Sequence, residues 1–367
     1  MMKNKSLIIK RTLAIVLAVA VLIFVVDFLN RLLTPKYMSG PLDGAFIAEY
    51  YKETTDHDVI FLGDCEVFSN ISPVYLWENY GVTSFVRGSA QQLIWQSYYL
   101  LRDTLRYETP DIVVFNVLSL IYNEPQNEAY NRITLDGMRF SADKIGAVLS
   151  SMTEGESAIE YFLPFLRFHS RWSSLEPDDF KYLYKKDKVT HNGYYMRVDI
   201  KPVESLPTVR KLSDYTFGSR AMEYLDKLLE LCRKNGIELV LMKAPSLVPH
   251  WYDEWNAQVV DYADKNGLLY INVLAAAEEI GIDYKLDTFD AGMHMNLTGA
   301  EKVTEYIGSI LTEKYPLTDH RGDARYEGVW ADKVKFYYDM IEAQKAELAE
   351  YGHLIHFGAA PKDNKYK

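Results

Sequence analysis

Two cysteines in 367 residues, Cys65 and Cys232, are too few for a disulfide-stapled scaffold, and their spacing matches no zinc or redox motif. Positive charge is also in short supply: 40 Lys and Arg face 51 Asp and Glu, a formal net charge of −11. With no basic patch along the body of the chain, nucleic acid is excluded as a partner, because phosphate binding needs a basic surface. Internal repeats and low-complexity tracts are absent. Long apolar runs are absent too, except at the N-terminus.

That exception is the most legible segment. Lys3, Lys5, Lys10 and Arg11 precede an uncharged run from Thr12 to Val26, and after Asp27 the residues Phe28, Leu29, Leu32 and Leu33 continue the apolar character. A membrane-spanning helix needs about 20 residues, and flanking Lys and Arg lengthen a short run by snorkelling. The rival reading is a cleaved signal peptide, but Asp-Phe-Leu-Asn-Arg follows the run where a small-x-small cleavage site would be required. Residues 1–33 are therefore expected to be a cytoplasmic stub and an uncleaved signal-anchor. The cations on its N-terminal flank keep that end inside and put the rest of the chain outside a cell membrane, as a single-pass protein.

The chain as a whole is 48% hydrophobic and 25% charged, ordinary for a folded protein of this length. Residues 34–56 read as a linker running into a helix, punctuated by Pro35, Gly40 and Pro41. Short apolar runs then alternate with helical segments. The runs are Asp58–Leu62, Thr83–Val86, Asp111–Leu118, Ile237–Met242 and Leu268–Val273. Helices are expected over Gln92–Tyr107, Ser219–Asn235, Glu254–Lys265 and Thr298–Lys314, with Gly236 and Gly267 as terminators. Five strands separated by helices predict an α/β chain, a three-layer α/β/α sandwich on a mostly parallel sheet. The alternation stops over residues 120–216, expected to be an insertion or cap within a domain of residues 57–317. Residues 318–367 read as a polar tail with a helix near Trp330–Tyr351.

Ligands of open α/β sheets sit beyond the carboxyl ends of the strands. There the sequence offers Gly63-Asp64-Cys65-Glu66, Arg87-Gly88-Ser89, Ser119–Asn123, Lys243–Ser246 and the loop Asp287–His294. A thiol, a glycine turn, a lysine, and carboxylates with a histidine would converge on one edge. These pieces resemble the SGNH/GDSL hydrolases. Phe61-Leu-Gly-Asp-Cys65 is similar to the family's nucleophile block with Cys in place of Ser, and Gly88 to its oxyanion glycine. Asp290-Ala-Gly-Met-His294-Met-Asn296-Leu-Thr-Gly299 follows its C-terminal histidine block, and the overall likeness is to divergent, membrane-associated members.

The resemblance implies an acyl esterase or O-acyltransferase acting on a cell-surface glycan or acylated polymer, outside the cell, possessing no cofactor and no metal. A membrane acyltransferase is a further partner it implies. Cys65 would be the nucleophile, His294 the base, and Asp290 its relay. The backbone N–H groups of Cys65 and Gly88, together with Asn116, would form the oxyanion hole, and Arg87 and Lys243 would bind substrate. Three departures stand beside this. The nucleophile position holds Cys. One extra residue between Asp290 and His294 leaves Asp287 as an alternative relay. The family's Gly-x-Asn-Asp is missing, so Asn116 or Asn123 would substitute. The rival is a degenerate member that binds a polymer or assembly partner without turnover. Asp64 is read as a helix cap, and Cys232, His169 and Arg171 as structural.

Overall fold

The computed structural model describes residues 2–36, 45–185, 188–206 and 208–355. The chain divides into two compact units, one of residues 1–38 with 157–187 and one of residues 39–156 with 188–367.

The larger unit is built on five short parallel strands in the order β2-β1-β3-β4-β5. They are β1 (Val59–Gly63), β2 (Ser84–Gly88), β3 (Ile112–Asn116), β4 (Glu238–Lys243) and β5 (Leu269–Asn272). All four pairings are parallel, with Phe61 opposite Val86 and Val114, and Met242 opposite Asn116 and Ile271. Every residue of β1, β2 and β3 is buried, which is why β1 and β3 run almost wholly apolar without alternation, while β2 also buries Ser84 and Arg87. Only β5, at the edge, is half-exposed.

With α1 given to the N-terminal helix (Met2–Leu33), the helices of this unit that frame the sheet include α2 (Cys65–Asn70), α3 (Pro73–Tyr80), α4 (Ile94–Thr104), α5 (Ser219–Asn235), α6 (Asp253–Asn266), α7 (Leu297–Lys314) and α8 (Ala324–Tyr351). One layer groups α7 with α2 and α3, and another groups α5 with α4. The architecture is the expected α/β/α sandwich. Gly236 and Gly267 end α5 and α6 in the left-handed conformation, as the glycine spacing predicts.

Three boundaries differ from expectation. The stretch 34–56 is not merely a linker, because Phe46, Ile47 and Tyr50 are buried in the unit's interior. Residues 37–44, with Gly40 and Pro41, lie outside the described residues. Residues 318–355 are an integral layer rather than a polar tail. Trp330 stacks on Trp77 at 4.8 Å between ring centroids, and Tyr337 and Ile341 join the core. The spacing Trp330, Tyr337, Ile341 places these residues on one helical face, which a polar average composition hides.

The expected insertion 120–216 is likewise not one body. Residues 157–185 belong to the smaller unit with α1, where Arg171 donates to the carbonyl of Leu33 (2.6 Å) and to both oxygens of Asp179 (2.9 Å each). Residues 190–203 return to the larger unit as a strap. Val86 N–H donates to Asn192, Tyr195 N–H to Phe68, Lys201 N–H to Thr288 and Leu297 N–H to Arg197. The strap thereby ties β2 and α2 to the loop that carries His294.

Candidate active site

The turn after β1 is set by glycine. Gly63 has φ +152°, and a Cβ there would lie 2.8 Å from Asn116 Cβ. Asp64 then caps α2 by accepting from Glu66 N–H at 3.1 Å, and Cys65 is the first helical residue, half-buried. Gly88 packs against this turn so closely that a Cβ would sit 2.5 Å from Val67 Cγ2 and 3.1 Å from the Asp64 carbonyl. A residue larger than glycine would push β2 away from the thiol.

His294 arrives from the other end of the sheet order, on the loop before α7. Its ring lies parallel between Phe68 (6.5 Å, 18°) and Phe289 (5.7 Å, 14°). Nδ1 is 2.5 Å from Asp290 Oδ2, and the His294 backbone N–H donates to Asp290 Oδ1 at 2.7 Å. The extra residue between Asp290 and His294 is absorbed by two successive positive φ angles, 65° at Ala291 and 91° at Gly292. For alanine this is a strained conformation, costing on the order of 1 kcal/mol. It folds the chain back so that both carboxylate oxygens meet the histidine. Asp287 is engaged elsewhere: it accepts from Asp283 N–H, Thr298 Oγ1 and Lys302 Nζ. Asp290, not Asp287, touches the imidazole.

Nε2 of His294 is buried and makes no aligned hydrogen bond. The ring nevertheless lies next to the Cys65 thiol, and each perturbs the other's proton affinity. Burial raises the thiol pKa, opposed by the His294 charge and reinforced by Asp64 and Glu66. Burial works against a charged His294, but a Cys65 thiolate and the Asp290 hydrogen bond outweigh it and hold its pKa well above the ordinary value.

Behind the thiol lies a polar cluster with no access to solvent. Lys243 Nζ donates to Glu66 Oε1 (2.9 Å) and Oε2 (3.1 Å) and to the Ala244 carbonyl (2.7 Å). Asn116 donates through Nδ2 to Glu66 Oε2 (2.8 Å) and Asp64 Oδ1 (3.2 Å), and its Oδ1 accepts from Ala244 N–H (3.1 Å). Burial and the nearby Glu66 push the Asp64 carboxyl up to about 7.

Three sequence expectations change here. Lys243 is fully buried and paired, so it is not placed to bind substrate. Asn116 has its amide committed to the cluster and does not point a free donor at an oxyanion. Arg87 is also fully buried. It donates to Leu100 O, Thr104 Oγ1 and Asp103 Oδ2 and lies 4.1 Å over the Tyr50 ring. Strand alternation sends its side chain to the α4 side, away from the turn that holds Cys65. Asn123, the other candidate, accepts from Arg220 N–H at 2.9 Å.

One residue escaped the sequence reading. Tyr122, half-buried, has its phenol pKa raised by burial and by the charges of Asp64 and Cys65. It follows the third strand, where the resemblance leaves its gap, but nothing in its local sequence marks it. Cys232 is a free, buried core thiol on α5, pushed up to about 12 by burial.

No protein-family profile and no curated protein sequence matches this chain. Among solved structures it is similar to a candidate acylhydrolase from Bacteroides fragilis NCTC 9343, at 14% identity and a TM-score of 0.37, covering 72% of this chain and 94% of that one. It is also similar to a GDSL-like lipase from Bacteroides thetaiotaomicron VPI-5482, at 12% identity and a TM-score of 0.32, covering 70% and 88%. The architecture itself rests on the parallel strand order and register given above.

Proposed function

We propose that this protein is an acyl esterase or O-acyltransferase of SGNH/GDSL type that works through Cys65, His294 and Asp290 on a cell-surface glycan or acylated polymer. The observation that carries the reading is the doubly held imidazole. Asp290 fixes Nδ1 and the backbone, and the buried Nε2 is left facing the thiol. That is the arrangement a general base needs.

In the proposed chemistry, Nε2 takes the proton from Cys65 Sγ as sulfur attacks the ester carbonyl. The tetrahedral oxyanion is held by the backbone N–H groups of Cys65 and Gly88, each donor contributing about 3 kcal/mol. Collapse expels the alcohol, which receives the proton from the imidazolium, and leaves a thioester on Cys65. Water completes hydrolysis, or an acceptor hydroxyl completes transfer, with His294 again taking the incoming proton.

The setting is the membrane surface. Residues 7–33 form a helix with a window of mean hydropathy 2.9 and no burial, apolar and long enough to span a bilayer. The cations before it orient the larger unit outward in this reading, and a membrane acyltransferase could supply the acyl group.

The committed Asn116 and the carboxylates that raise the thiol pKa favour a second reading, a polymer-binding protein without turnover. Incubation with an activated acetyl ester separates the two. The enzyme reading expects a thioester adduct on Cys65 in intact-protein mass spectra, lost in Cys65→Ala and suppressed in His294→Ala. Adduct formation indifferent to His294 would overturn the mechanism.

A further inference from the structure

We infer that residues 157–185 form an interfacial collar that rests in the headgroup layer of the same bilayer α1 crosses. The inference deepens the proposed function and rests on α1 being its anchor.

The smaller unit wraps only one end of α1. Phe165 N–H donates to Asn30 Oδ1 (3.1 Å), Arg171 to the Leu33 carbonyl (2.6 Å), and the Arg31 guanidinium lies 5.3 Å over the Tyr184 ring. Lys36 approaches Asp179 at 3.8 Å. These contacts fall at residues 30–36, past the end of the uncharged run, while residues 7–24 are exposed throughout. From Val26 to Asn30 the helix rises about 6 Å. The interfacial layer on each side of the hydrocarbon is about 5–8 Å thick. With Lys10 and Arg11 at the inner boundary, the about 20 residues that a bilayer needs run from Thr12 to about Arg31, so contacts at residues 30–36 fall at the outer edge of the hydrocarbon and in the headgroup layer.

Its surface has the composition that depth selects. Trp172 is 75% exposed, Tyr184 64%, Phe180 57%, Ile159 52% and Leu166 37%. Five large apolar or aromatic side chains within one segment of fewer than thirty residues are far from the scattered single exposures of an ordinary surface. Trp and Tyr favour the membrane–water boundary because their rings are apolar and their polar atoms stay wet. Beneath them the unit is held by the buried pair Arg171–Asp179 and by Tyr161 and Tyr182.

The occupant is lipid.

The test uses the full chain reconstituted in phosphatidylcholine and phosphatidylglycerol vesicles with acyl chains brominated near the headgroup. Trp172 is the only tryptophan of residues 157–185. Part of the tryptophan emission should be quenched, and Trp172→Phe should remove most of that quenchable part. A second variant, Leu17→Trp in the Trp172→Phe background, should be quenched by deeply brominated chains. Quenching at position 17 without any at Trp172 overturns the collar and leaves the anchor standing; that is also the result expected if a protein partner covers this face. Quenching at neither position overturns the collar and the anchor together.

Discussion

Asp290 and His294 meet twice, side chain to ring at 2.5 Å and side chain to backbone at 2.7 Å, although four positions separate them. The carboxylate therefore sets both the tautomer and the place of the ring. Asp290→Asn should lower ester cleavage about 10²- to 10⁴-fold, since the wrong tautomer would be held. The hydrogen bond to Asp290 raises the pKa of His294, so its loss lowers that pKa. The acid limb of kcat/KM against pH should therefore move to lower pH in the variant. An unmoved limb would disconnect Asp290 from the titrating base.

Lys243 and Glu66 form a fully buried pair directly behind the thiol. Lys243→Met leaves an uncompensated carboxylate in the interior and should cost about 3–5 kcal/mol in urea unfolding. The double variant Lys243→Met, Glu66→Leu should recover much of the loss. It should also speed alkylation of Cys65 at neutral pH, because Glu66 is one of the charges that raise the thiol pKa.

Trp330 lies fully buried against Trp77. If residues 324–351 were an appendage, Trp330→Ala would be silent. As a core contact it should destabilise the larger unit by about 3–5 kcal/mol, read from the shift in unfolding midpoint.

Glu53 sits among His57, Lys188 and Lys333. Burial opposes its ionisation, but the hydrogen bond from His57 and the lysine charges win and bring its pKa to about 2. An unfolded glutamate titrates near 4.3. A depressed carboxylate stabilises the fold above its unfolded value, and this is lost as pH falls. Unfolding midpoints should therefore decline between about pH 4 and pH 2, and Glu53→Gln should flatten that decline.

The strands were readable because most are short, buried, largely apolar runs bounded by Gly, Pro or a charged residue; Val59–Gly63 and Ile112–Asn116 lie within one position of expectation at their starts. The thiol and the histidine were readable because their local blocks are compact. The C-terminal layer was missed because Tyr337 and Ile341 are spread over turns of a mostly polar helix, and only Trp77 and the core explain them. The division of residues 120–216 between two units was missed because neither half has a regular period.

Sequence alone determined what is local: the apolar N-terminal run, the parallel sandwich, and the glycine turns that place Cys65 beyond one strand and His294 before one helix. Tertiary structure decided which carboxylate reaches the imidazole, and that Arg87, Lys243 and Asn116 turn inward rather than toward a ligand. The reason is that a charged or amide side chain at a strand end carries no local mark of its partner. Its direction follows from strand alternation, and its fate from whichever buried group, Asp103 or Glu66, the fold brings within hydrogen-bond reach.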